Sequence, residues 1–393
     1  MSKRSVYLDS AATTPVRPEV LEAMLPYLGA DAFGNPSSAH RFGRAARAGV
    51  EEAKRTIAEG LGAEPGQVIF TSGGTEADNL AVIGAALAAR ERTGGGPFRV
   101  AVSAVEHKAV LAAAHAVTHL GGEEVILPVG ASGVVQEDAL DQALARGVAI
   151  ASVMWVNNEV GIIQPVARIA ARCREAGVPF HSDAVQAFGK VPVSLQDVGC
   201  TFLTISGHKI GAPKGIGALI VRDRHAVEAI IHGGGQQFGI RPGTENVPGI
   251  IGLAKAAELV IQEQAELAPR LRALRDELER RLLEIVPDAV INGWQGERAP
   301  HISNVSIPGT DSEALLMHLD LAGIACSSGS ACSTGAVEPS HVLTAMGVPH
   351  DLGIAALRFS LGKDNVREDV EAVVAALPKI VEKVRALSAI LHR

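Results

Sequence analysis

Four short segments carry residue types whose spacing can do chemistry. The first is Gln67-Val68-Ile69-Phe70-Thr71-Ser72-Gly73-Gly74-Thr75-Glu76-Ala77-Asp78, a strand, a glycine turn and a helix start. Glycines let backbone N–H groups close on an anion, and a helix N-terminus adds unpaired donors and a favourable dipole. Thr75 adds a hydroxyl. The competing assignment is a plain helix cap, since Thr75 and Asp78 have capping-box spacing. No Gly-x-x-x-x-Gly-Lys-Ser/Thr pattern occurs, so a nucleotide loop of that kind lacks support.

The second segment, Val178-Pro179-Phe180-His181-Ser182-Asp183-Ala184-Val185-Gln186, sets an acid at the end of a buried strand, where open α/β sheets bind ligands. Asp183 either faces a cation, such as a protonated pyridine nitrogen, or turns the chain. In the third, Thr201-Phe202-Leu203-Thr204-Ile205-Ser206-Gly207-His208-Lys209, a lysine follows a buried strand and a glycine. Partly desolvated, such an amine loses basicity and forms imines; a surface-loop lysine is the plain alternative. Gly211, Gly215 and Gly217 then permit close approach to a flat ligand. Together these segments supply a phosphate cradle, a ring-nitrogen partner and an imine-forming amine, the requirements of pyridoxal 5'-phosphate. The fourth segment is Cys326-Ser327-Ser328-Gly329-Ser330-Ala331-Cys332-Ser333-Thr334-Gly335, whose small residues predict an exposed, mobile loop around Cys332. Cys173 and Cys200 read as structural, and Cys326 as passive or as a resolving partner for Cys332. His115 and His119, at i and i+4, lack a third ligand nearby and read as ordinary helix residues.

The elements that must position these groups alternate. Candidate strands are 67–71, 98–103, 124–129, 148–156, 178–182, 201–206 and 218–221, mostly apolar throughout, as in strands buried on both faces. Helices 76–90, 108–120, 138–145 and 166–176 lie between them, which predicts a mostly parallel sheet covered by helices. From about Val260 a leucine stripe (Leu267, Leu271, Leu274, Leu278, Leu282) marks a long charged helix, read as lying across a domain surface. A strand 301–307, a helix 312–322, a strand 357–361 and a final helix 366–387 predict a smaller α+β domain.

Composition narrows the class. Charged residues are 20% and hydrophobic ones 47%, enough for a large core in 393 residues. Lys+Arg 36 against Asp+Glu 43, with 3% aromatics, argues against nucleic-acid binding. Four cysteines make no disulfide framework. No apolar run is long enough to span a membrane, and the N-terminus lacks a signal-peptide stretch, so a cytoplasmic setting is expected.

The combined motifs resemble the cysteine desulfurases of NifS/IscS type, class V fold-type-I pyridoxal-phosphate enzymes. The resemblance runs from Tyr7-Leu8-Asp9-Ser10-Ala11-Ala12-Thr13-Thr14-Pro15 through Asn35-Pro36-Ser37, Glu106-His107-Lys108, Asn157-Asn158-Glu159 and Arg241-Pro242-Gly243-Thr244 to Arg358-Phe359-Ser360-Leu361-Gly362. It implies a large cofactor-binding domain over 16–262, and a small domain from 1–15 and 263–393 that carries the mobile Cys332 loop. It implies that Lys209 bonds the cofactor and shuttles protons, that Asp183 pairs with the ring nitrogen, and that His107 stacks on the ring. Asn158 and Gln186 would bond the cofactor near its phenolic oxygen. Gly74, Thr75, Ser206 and His208 would hold its phosphate, with Thr244 reaching in from a second subunit of a homodimer. Arg358, helped by Asn35, would clamp the carboxylate of L-cysteine. Cys332 would take the sulfur as a persulfide, leave L-alanine, and pass the sulfur to an acceptor protein such as an iron–sulfur scaffold. No intrinsic metal site is implied, only transient ligation by Cys332 of a cluster shared with a scaffold. Within the family the alternative is a selenocysteine or cystine lyase or another class V activity. Outside it, the alternative is a noncatalytic sulfur-relay or interaction homologue.

Overall fold

The computed structural model describes residues 5–328, 332–333 and 336–391. After β1 (Val6–Tyr7), the larger sheet has seven strands: β2 (Val68–Thr71), β3 (Arg99–Ser103), β4 (Glu123–Leu127), β5 (Ile150–Ser152), β6 (Phe180–Asp183), β7 (Phe202–Ser206) and β8 (Gly217–Val221). Their order is β2-β8-β7-β6-β5-β3-β4, with β8 antiparallel to both β2 and β7 and the other pairs parallel. Every residue of β2 and of β5 to β8 is buried, the consequence of near-continuous apolar sequence covered on both faces. Two apolar clusters, one on each side of the sheet, hold α1 (Pro18–Leu28), α2 (Arg41–Leu61), α3 (Gly74–Arg92), α4 (Lys108–His119), α5 (Glu137–Ala145) and α6 (Val166–Glu175) against it. The mostly parallel, helix-covered sheet matches the expected fold.

Two helices ahead of β2 are absent from the sequence reading. In α2, Ala46, Val50, Ala53, Ile57 and Leu61 repeat at helical spacing and are all buried. The His40 ring caps its first turn by accepting from the Gly43 N–H at 3.3 Å, and Gly62 ends it at φ +62°.

After the short helix α7 (Leu195–Val198), α8 runs from Val247 to Ile285. It starts earlier than the leucine stripe suggests, and the stripe faces a core of its own. Val247 to Val260 packs in the first core. Leu267, Leu271, Leu274, Leu278 and Leu282 belong to a second core with Val6, Leu8, Leu319, Leu357, Phe359 and Val373. That second core gathers β9 (Val290–Ile291), β10 (Ile302–Ser306), α9 (Ser312–Leu321) and β11 (Ile324–Ala325). The two-residue strands β12 (Cys332–Ser333) and β13 (Ala336–Val337) pair with each other. Short helices α10 (His341–Ala345) and α11 (His350–Gly353) precede β14 (Ala356–Ser360) and α12 (Arg367–Leu391). The antiparallel β14-β10-β9 sheet and the parallel β1–β11 pair bring the N-terminal segment into this second unit.

Candidate active site

The carboxyl ends of β6 and β7, the start of α3 and the entrance to α4 surround a cavity of about 290 Å³. At one end β2 passes into α3 through Ser72 and Gly73. Gly73, at φ +156°, holds a backbone shape that side chains disfavour, and a Cβ on Gly217 would meet its backbone at 2.8 Å. The capping box anticipated from Thr75 and Asp78 does not form, because the cap residue is Gly73, with no side-chain bond. Glu76 takes the Ser72 N–H at 2.8 Å instead, while Arg241 Nε bonds its other oxygen at 2.7 Å. Burial opposes the charge on Glu76, but these bonds outweigh it and hold the carboxyl below its ordinary range. Gly74 and Thr75 are left facing the cavity, with Ser206 and His208.

Lys209 closes the turn Gly207–Lys209 that follows β7. Its Nζ donates to the carbonyls of Ala11 and Ala12 at 2.6 and 2.7 Å. Burial, aided by the Arg358 charge, lowers this amine to about 8, against the opposing pull of Asp183 and Asp9. Gln186 Nε2 also donates to the Ala11 carbonyl, at 2.8 Å, so the N-terminal segment forms one wall. Asp183 is 5% exposed. It lines the cavity, and its Oδ1 accepts the Val185 N–H at 2.9 Å, as in the chain-turning reading. Burial raises its pKa, only partly offset by that N–H, His107 and Lys209, so a cationic ligand would have much to stabilise. His107 caps α4: its Nδ1 accepts the Ala109 N–H at 3.1 Å, which puts the proton of the neutral ring on Nε2. Burial holds this ring below the usual imidazole range, with Asp183 opposing. His208 is lowered further, to about 4, by burial and then by Lys209 and Lys214.

Arg358 rises from β14 into the same cavity, where Asn158 also lies. One guanidinium nitrogen donates to the Asn158 carbonyl and the other to Asp9 Oδ1, both at 2.9 Å. Its Nε is buried without a hydrogen-bond partner among the described residues. Sequence reasoning assigned no role to Asp9, and only its place in the N-terminal motif could have suggested one. An Arg358→Lys variant keeps the charge but loses the planar fork. Its KM for a substrate whose carboxylate meets this arginine is expected to rise about ten- to a hundredfold in steady-state kinetics, the order of one or two charge-assisted hydrogen bonds.

Asn35 and Thr244 lie outside this cavity. Asn35 Oδ1 accepts the Ser37 N–H at 2.9 Å, and Thr244 is exposed. The anticipated mobile loop lies partly outside the described residues, and of Cys332 only the backbone in β12 is described. Both flanks of its segment are anchored beside the cavity. Ser327 exchanges two backbone bonds with Arg358 at 3.2 and 2.6 Å, and the Ser340 hydroxyl donates to Glu159. Cys173 and Cys200 are buried, and burial lifts their thiols, like that of Cys326, to about 12. His115 and His119 stack edge to face at 5.5 Å. Among the described residues no group of three or more His, Cys, Asp or Glu side chains is placed to hold a metal ion.

A second cavity, of about 560 Å³, lies on the far side of the Ala11–Thr14 wall and lacks Asp183, Ser206 and Arg358. Lys209 lines both, but the smaller one gathers the chemical groups.

Residues 6–373 match the aminotransferase class-V family. Cysteine desulfurase IscS of Dictyoglomus turgidum is 44% identical over 98% of this chain and 97% of its own length. A cysteine desulfurase of Gluconacetobacter diazotrophicus is 46% identical over 98% and 95%. A NifS-like protein from Rickettsia africae superposes with a TM-score of 0.86 at 32% identity, covering 96% of this chain and all of its own. The chain belongs to the aminotransferase class-V family, within its cysteine desulfurase branch of IscS/NifS type. That family implies pyridoxal phosphate, and the cavity fits it. The glycine turn and Ser206 offer donors for a phosphate, Asp183 is a buried acid with no ion-pair partner among the described residues, and Lys209 is a weakened amine. No described helix is long and apolar enough to cross a membrane.

Proposed function

We propose that the chain is a pyridoxal-phosphate-dependent cysteine desulfurase that converts L-cysteine to L-alanine and keeps the sulfur as a persulfide on Cys332. The observation that carries this reading is one cavity lined by Lys209, Asp183, His107 and Arg358, with both flanks of the Cys332 segment tied beside it. Gly74, Thr75, Ser206 and His208 would hold the cofactor phosphate, Asp183 the ring nitrogen, and Asn158 and Gln186 the phenolic side. When bound, the cofactor supplies an electron sink for the Cα–H bond of the substrate.

The chain's own groups do the rest. The Nε of Arg358 and its neighbouring nitrogen would clamp the substrate carboxylate. Lys209, with an amine near 8, can give up its proton at neutral pH, and so can take the Cα proton and return one. His107 would stack on the cofactor ring, its own neutral ring keeping the proton on Nε2. The Cys332 thiolate forms the S–S bond as the substrate Cβ–S bond breaks. Protons delivered to Cα and Cβ complete alanine.

Thr244 is exposed, which suits a role in the active site of a second copy, so the working unit is proposed to be a homodimer. The acceptor is proposed to be a protein, an iron–sulfur scaffold first, in the cytoplasm. The division into 16–262 and 1–15 with 263–393 is likewise our reading, supported by the second core. Product analysis tests the reaction class: L-cysteine with a reductant is expected to yield alanine equal to the sulfide released. Pyruvate in place of alanine would mark a β-eliminating lyase and overturn the proposal.

A further inference from the structure

The floor of the cavity holds more carboxyl groups than one ring nitrogen can balance. Asp78, one turn into α3, is 1% exposed and lines the cavity beside Asp183. Glu106, just after β3, is wholly buried; its Oε1 accepts the Met154 N–H at 2.6 Å. Among the described residues neither acid pairs with a lysine or arginine. The basic neighbour of Asp78 is His181, whose Nε2 lies 3.6 Å from Oδ1, beyond hydrogen-bond reach. The nearby cations are engaged elsewhere, Lys209 on the Ala11 and Ala12 carbonyls and Arg358 on Asp9 and Asn158. Among the described residues Asp78 Oδ1 and Glu106 Oε2 have no hydrogen-bond partner. An empty oxygen is tolerable on a neutral acid and costly on a buried carboxylate. Burial accordingly drives both acids well above the carboxylate range, and the Asp183 charge adds to it.

Behind Asp78 runs a buried polar chain. The Thr204 hydroxyl adjoins the Asp78 carboxyl, and its pull toward the charged form is outweighed by burial. Thr204 Oγ1 lies 3.0 Å from His181 Nε2, and His181 Nδ1 lies 2.7 Å from Ser152 Oγ. Burial lowers His181 to about 3, so its ring is neutral and carries one proton. A protonated Asp78 orders these hydrogens in one direction: Asp78 O–H to Thr204, Thr204 O–H to Nε2, and Nδ1–H to Ser152.

We propose that Asp78 is a positioning residue that stays protonated at the head of the Thr204–His181–Ser152 chain, so that the floor presents one negative charge, that of Asp183, to the cofactor ring nitrogen. This rests on the cofactor assignment above. An ionised Asp78 would add a second charge with no cation to meet it.

Asp78→Asn replaces a neutral acid by a neutral amide of the same shape. In infrared difference spectra of the full-length protein at neutral pH, with cofactor and after its removal, this variant is expected to lose one protonated-carboxyl band. The pH midpoint of the lysine-linked cofactor absorbance is expected to stay in place. Asp78→Ala is expected to weaken cofactor binding about tenfold, since it strands the Thr204 end of the chain. Loss of no infrared band, or a midpoint shift of about one unit or more in Asp78→Asn, would overturn the proposal. If Asp78→Asn does not fold, Thr204→Val must move the same infrared band, and an unmoved band overturns the proposal equally. Failure of the unaltered protein to form any cofactor band would count against the cofactor assignment alone, because the infrared result without cofactor still decides the state of Asp78.

Discussion

Cys332→Ser is expected to bind pyridoxal phosphate with an unchanged visible spectrum while losing sulfide release from L-cysteine by about a thousandfold or more. That is the order seen when a covalent nucleophile is removed. A serine hydroxyl is far less acidic and less nucleophilic toward sulfur than a thiol, so the substrate would bind and the sulfur would have no receiver. The other cysteines are poor substitutes. Cys173 and Cys200 are buried, and the thiols of all three described cysteines stand near 12, so they stay protonated at neutral pH. Sulfide release, with reductant present, measures the loss; a rate near that of the unaltered protein would remove Cys332 from its role.

Lys209→Ala is expected to lose the absorbance of lysine-linked cofactor altogether and turnover by about a thousandfold or more, because in the proposed function the same amine both anchors the cofactor and moves the proton. The pH dependence follows from its basicity. With the amine lowered to about 8, the nucleophilic, uncharged form grows about tenfold per pH unit below that value and levels off above it. The rate of cofactor uptake by the cofactor-free protein, followed by absorbance, should therefore climb toward pH 8 and flatten beyond. A lysine with ordinary basicity would keep climbing toward pH 10.

Much of this site is legible because its groups sit where chain direction fixes them. Asp183 and Lys209 follow buried strands, and the carboxyl ends of β6 and β7 point to one crevice, so local pattern predicts spatial convergence. Asp78 shows the limit. Its spacing from Thr75 reads as a cap, yet a glycine enters the helix, and the carboxyl turns inward to a chain donated by three separate strands. Asp9 shows it again, since its partner Arg358 is 349 positions away. The leucine stripe of α8 carries no sign of what covers it, because most of its covering strands and helices come later in the chain and the rest from its far N-terminal end.

The central claim is that sulfur leaves L-cysteine for the Cys332 thiol. Mass spectrometry of the purified cofactor-loaded protein, alkylated after brief exposure to L-cysteine without reductant, reads that claim at one peptide. The account predicts one added sulfur on the peptide containing Cys332 and alanine in equal amount. Alanine formed with the Cys332 peptide unchanged, or the added sulfur on Cys326 instead, would contradict it.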